Sequence, residues 1–125
     1  MKTEINIYIL FGILIIHWLG DFVLQTDFQA KNKSRSNVAL TEHVANYSIV
    51  WFVVGMLWYL RVHNIALFCW FPIITFICHW VTDYFTSRLN TKLYNDGRTH
   101  EFFVSVGFDQ ILHYLQLVLT FQLLS

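Results

Sequence analysis

Four long apolar stretches, at about 5–25, 41–61, 64–86 and 102–124, organise this chain. Each approaches the ~20 mostly apolar residues that a helix needs to cross a bilayer. Only Arg61, Val62, His63 and Asn64 join the second stretch to the third, which predicts a tight helical hairpin. The segments 26–40 and 87–101 are polar and read as loops, the second holding the turn signal Asn95-Asp96-Gly97. Pro72, inside the third stretch, predicts a kink there. The expected fold class is all-α: an integral membrane four-helix bundle of two helical hairpins, forming a single transmembrane domain over residues 1–125.

Composition agrees with lipid as the solvent. The chain is 56% hydrophobic and only 13% charged, whereas soluble domains are nearer ~25% charged. Its formal net charge is zero, so no basic face argues for nucleic acid. Lys2 before an apolar run resembles the start of a signal peptide, but no small-x-small cleavage site follows, so the run reads as a retained span. Cys69 and Cys78 lie about 13 Å apart along one helix, too far for a disulfide, and read as buried free thiols.

Charge sets orientation. The segments 26–40 and 87–101 carry Lys31, Lys33, Arg35, Arg88, Lys92 and Arg98, against Lys2 and Arg61 on the other side. Positive loops stay in the cytoplasm. Both termini are therefore expected outside, in a bacterial inner membrane.

Against this apolar background stand three histidine–aspartate pairs: His17/Asp21, His79/Asp83 and, in reverse order, Asp109/His113. Residues four apart share a helix face. The third pair lies on a helix running the opposite way, so its reversal brings the three histidines into one layer and the three aspartates into another. His43 opens the second span on the same side, followed by Asn46 and Tyr47 at helical spacing. A short repeat relates His17-Trp18-Leu19-Gly20-Asp21-Phe22 to His79-Trp80-Val81-Thr82-Asp83-Tyr84.

An aspartate at the centre of a membrane helix costs about 2.5–3.5 kcal/mol on insertion scales. A metal cation offsets that cost well, because neutral imidazole and carboxylate are its ordinary ligands. The expected ligands are His17, Asp21, His43, His79, Asp83, Asp109 and His113. They are enough for one or two divalent ions, with zinc, manganese and iron all suited to a mixed His/Asp shell. Asp21, Asp83 and Asp109 double as candidate catalytic bases. Gln25 continues the face of His17 and Asp21 to the mouth of the site, where Lys33 and Arg88 are candidates for binding an anionic lipid or phosphoester. Simpler roles exist for the same residues: interhelical hydrogen bonding, a proton relay, or, for the basic side chains, topology alone.

The run His17-x-x-x-Asp21-Phe22-x-x-Gln25-Thr26, then Lys33, then Leu40-x-x-His43, resembles a small integral-membrane family of bacteria and their phages, DUF3307, a domain of unknown function. His79-x-x-x-Asp83 and Asp109-Gln110-x-x-His113 extend the resemblance over nearly the whole chain. It implies a four-helix membrane protein with a shared polar site, and no activity. A looser likeness joins it to membrane-bound metal-dependent hydrolases. The histidine boxes of desaturases, the CDP-alcohol phosphotransferase signature, a phosphate loop and a nucleophile elbow are all missing.

Three functions follow as expectations. The first is a metal-dependent hydrolase of a lipid-linked or phosphoester substrate. The second is a metal-ion or proton transporter, which needs a path through the nearly uncharged outer halves of the spans. The third is a non-enzymatic membrane factor acting by partner binding. A homodimer is compatible with so small a bundle, although no small-xxx-small motif marks a surface for it.

Overall fold

The computed structural model describes residues 4–125 and is all-helical, with no strand among the described residues. Helix α1, Ile7–Trp18, starts at Asn6, whose side-chain oxygen accepts from the amides of Tyr8 and Ile9 at 3.0 Å. At Leu19–Val23 the helix widens into a π turn. Such turns insert a residue into the α ladder and are frequent at functional sites. The continuous apolar helix is therefore Ile7–Val23, shorter than the expected span 5–25.

The polar segment 26–40 is not a simple loop. Thr26 and Gln29 form a capping box, with two reciprocal 3.2 Å bonds, that starts the short helix α2, Asp27–Asn32. Helix α3, Asn37–Val62, then begins under the cap of Ser36. It ends at His63, which takes the left-handed conformation (φ 54°) that closes a helix.

Helix α4, Ile65–Asn95, is 31 residues long. At 1.5 Å per residue it measures about 46 Å, well beyond a ~30 Å hydrocarbon core. Most of the polar segment 87–101 is thus helix, because its lysine, arginine and asparagine residues continue α4 instead of breaking it. Only Asp96–Arg98 turn the chain, where Gly97 has φ 68°. Helix α5, Thr99–Leu124, completes the fold. Pro72 is buried within α4, which runs through it unbroken.

Helix α4 packs along both α3 and α5. Helix α1 leans on α5, and its π turn meets α3. Asn64, the cap of α4, also donates to the Leu124 carbonyl at 3.0 Å and ties the start of α4 to the end of α5. One half of the interior is an apolar core of Ile13, Tyr47, Trp51, Leu67, Phe71, Leu117 and Phe121. The other half is polar. The outer faces of the helices are lined with exposed aliphatic and aromatic side chains such as Ile49, Ile77, Phe108 and Leu115. Helices α3, α4 and α5 are each long and apolar enough to cross a membrane. The cysteines are free, but neither is buried: Cys69 is exposed and Cys78 half-buried.

Candidate metal centre

Four helical elements converge at the polar half. The π turn contributes Asp21, α3 contributes His43, α4 contributes His79 and Asp83, and α5 contributes Asp109 and His113. All six are buried. The rings of His79 and His113 stack with centroids 4.2 Å apart, and His17 lies 5.3 Å from His113. The histidines therefore gather in one layer, while Asp21 and Asp109 reach the wall of an open polar vestibule.

Donor separations within this cluster are informative. Nε2 of His43 lies 3.0 Å from Asp21 Oδ1, 3.3 Å from His79 Nε2 and 3.5 Å from Asp83 Oδ2. Nε2 of His79 lies 3.4 Å from Asp21 Oδ1 and 3.5 Å from Asp83 Oδ2. Ligands ~2.0–2.2 Å from one tetrahedral ion stand roughly 3.3–3.6 Å from each other. Four donors from three helical elements thus lie within 4.8 Å of one another, and five of their separations are close to those of a coordination shell. Asp83, Asp109 and His113 form a second group whose ligand atoms all lie within 4.8 Å of one another.

His17 is engaged differently. Its Nε2 meets Gln110 Oε1 at 2.8 Å and its Nδ1 meets the Tyr47 hydroxyl at 2.7 Å. Gln110 Nε2 donates to Asp109 Oδ2, which fixes the amide with Oε1 toward His17. An amide oxygen only accepts, so Nε2 of His17 carries the proton and Nδ1 accepts from Tyr47. Both nitrogens are occupied by protein, and Nε2 stands 3.5 Å from Asp21 Oδ2. His17 therefore stands beside Asp21 with both ring nitrogens already engaged by Tyr47 and Gln110. Tyr47 supports it from below, with its ring 4.1 Å from that of His79.

Lys33 reaches in from the end of α2 and places Nζ 2.8 Å from Asp83 Oδ2. Burial alone would depress the Lys33 ammonium, but the Asp83, Asp21 and Asp109 carboxylates outweigh it and hold the group above the usual lysine range. Lys33 also lines the vestibule, a cavity of about 780 Å³ between the π turn, the 30–35 segment, α4 and the start of α5. Gln25, Lys31 and Arg35 share its wall, and the buried Gln25 Oε1 has no hydrogen-bond partner.

Two of the other candidates sit elsewhere. Arg88 folds back along α4, donating to the Tyr84 carbonyl and to Asn37 Oδ1 at 2.8 Å each, with its guanidinium 3.7 Å above the Tyr84 ring. It does not line the vestibule. Asn46 is exposed on the outer face of α3. Sequence reasoning did not give Gln110 a role. Its place beside Asp109 on α5 was visible, but its bond across to α1 depends on tertiary packing. Gly20 was also passed over: a Cβ there would stand 2.9 Å from Tyr47 Cδ2, so only glycine lets the π turn sit against that ring.

A family model described as "Protein of unknown function (DUF3307)" matches residues 9–125. The chain belongs to that family. The match takes in α2 to α5 whole and α1 from Ile9, and so spans every residue of the polar centre. No curated protein and no solved structure matches the chain. For this DUF3307 chain the chemistry therefore rests on the buried His/Asp cluster itself.

Proposed function

We propose that this DUF3307 protein is an integral membrane protein that holds a divalent transition metal in its His/Asp centre and hydrolyses a lipid-linked or phosphoester substrate. The observation that carries the metal is the five donor separations of 3.0–3.5 Å among Asp21, His43, His79 and Asp83. Zinc, manganese and iron all suit that donor set. A bound ion would supply an acidified water and a Lewis acid for a phosphoryl or acyl oxygen.

The surrounding residues suit that chemistry. Lys33, Lys31 and Arg35 give the vestibule a cationic wall for an anionic headgroup. Asp21 and Asp109 line the same wall, which supports a role for them as bases toward water. The exposed apolar faces of α3, α4 and α5 support insertion in lipid. The basic residues at the vestibule end support a cytoplasmic mouth, with both termini outside. The aromatic and aliphatic core on the far side of Tyr47 supports a one-sided site over a transport path.

The test is hydrolysis by the full chain in mixed micelles, supplied separately with zinc, manganese and iron. Phosphate or headgroup release from anionic phospholipids or lipid-linked phosphates is expected, and it should disappear in His79→Ala/Asp83→Ala. A metal-loaded wild-type protein that releases nothing from these substrates would overturn the hydrolase reading.

A further inference from the structure

The two carboxylate oxygens of Asp83 face different partners. Oδ2 looks toward His43 and His79, at 3.5 Å each, and toward Lys33 at 2.8 Å. Oδ1 looks toward His113, whose Nε2 is 3.1 Å away. Beyond His113, Asp109 Oδ1 lies 3.3 Å from the same Nε2. That oxygen is buried and has no hydrogen-bond partner, on a residue only 8% exposed. A buried carboxylate oxygen whose nearest donor is the 3.3 Å ion-pair contact with His113 is poorly compensated. The ligand atoms of Asp83, Asp109 and His113 lie within 4.8 Å of one another, which is where a cation would relieve it.

We infer that the centre holds two divalent cations bridged by Asp83, one among Asp21, His43, His79 and Asp83 Oδ2, the other among Asp83 Oδ1, Asp109 and His113. The inference rests on the metal reading above and adds the second site and the bridge. Charge agrees with it. Three buried carboxylates face one lysine at this site, so a single divalent ion only just balances them and a second favours an anionic ligand. Both groups of donors meet the vestibule wall, at Asp21 and at Asp109. An anion entering from Lys33 would therefore touch both ions at once, which is how two-metal sites clamp a phosphoryl group. The substrate class this favours is a phosphate ester, ahead of a carboxylic ester.

Full-length protein in mild detergent, stripped with chelator and titrated with manganese, gives the test. Two equivalents per chain are expected, with the exchange-coupled paramagnetic resonance spectrum of ions a few ångströms apart. Asp109→Asn should drop to one equivalent with the spectrum of an isolated ion. His113→Asn, which leaves every donor of the first group in place, should do the same and guards against a folding failure in the first variant. One equivalent of isolated manganese in the wild type would overturn the bridge while leaving the single-metal reading intact. Two coupled ions in both variants would overturn the assignment of the second site. No bound manganese, zinc or iron at all would overturn both readings together.

Discussion

The Nε2 atoms of His43 and His79 face each other across 3.3 Å, between carboxylate oxygens of Asp21 and Asp83. Two neutral imidazoles satisfy each other with only one hydrogen bond, and the second proton must go elsewhere. Converging on one point among two carboxylates is the arrangement of ligands around a cation. The two residues come from different helices, so their approach depends on α3 packing against α4.

Ligand and positioning roles predict different losses. His79→Gln should abolish binding at the first group. His17→Gln should weaken it by about 10–100-fold, the usual effect of disturbing a group behind a ligand. Isothermal titration of manganese into the two stripped variants measures this. Equal losses would make His17 a ligand and contradict the roles that Tyr47 and Gln110 give it.

Gly20→Ala places a methyl group 2.9 Å from the Tyr47 ring. The ring cannot retreat freely, because it also packs against the rings of His79 and Trp51. Overpacking of this kind costs about 1–3 kcal/mol. A lower melting temperature is expected, together with weaker metal binding through the shifted Tyr47–His17 bond. Gly12→Ala, inside α1, meets nothing within 4 Å and is the control, expected to melt no earlier than wild type and to bind metal equally.

Much of the centre could be read from spacing alone. His17/Asp21, His79/Asp83 and Asp109/His113 are each four residues apart, and the reversal of the third pair matches the reversed direction of α5. What could not be read has physical causes. The π turn at Leu19–Val23 leaves no mark in an otherwise regular apolar run. The polar segments read as loops on polarity alone, yet lysine, arginine and glutamine are good helix formers, so α2 forms and α4 continues to Asn95. Arg88 thereby sits on a helix face beside Asn37 and Tyr84, away from the vestibule. The partners of His17 depend on α1 meeting α3 and α5, which no local pattern encodes.

Among the described residues Lys33 is the one lysine or arginine paired with Asp83, and its side chain is 18% exposed. Removing one partner of a largely buried pair costs ~3 kcal/mol, since the other charge is stranded. Lys33→Met should therefore melt earlier than wild type when stripped of metal. Added manganese should raise its melting temperature more than that of wild type, because the ion then meets a carboxylate that has lost its lysine and keeps only its histidine contacts. Equal metal-induced shifts in the two proteins would show that Lys33 and the ion do not share Asp83.

Topology is checked by single cysteines in a background with Cys69 and Cys78 replaced by serine. Ser36→Cys and Asn95→Cys, near the vestibule, are expected to react with a membrane-impermeant maleimide only in inverted vesicles. His63→Cys, in the α3–α4 turn, is expected to react only in intact spheroplasts. The opposite pattern would place the vestibule outside the cell.

Elemental analysis bears most directly on the His/Asp centre. The protein should be purified in mild detergent, exposed to zinc, manganese and iron in turn, and washed of loosely held ions. Wild type is expected to retain at least one equivalent of a transition metal, and His79→Ala/Asp83→Ala none, at equal helicity by circular dichroism. A wild-type protein that retains no metal under any of these conditions would contradict the metal centre and leave the cluster as a buried polar layer joining α1, α3, α4 and α5.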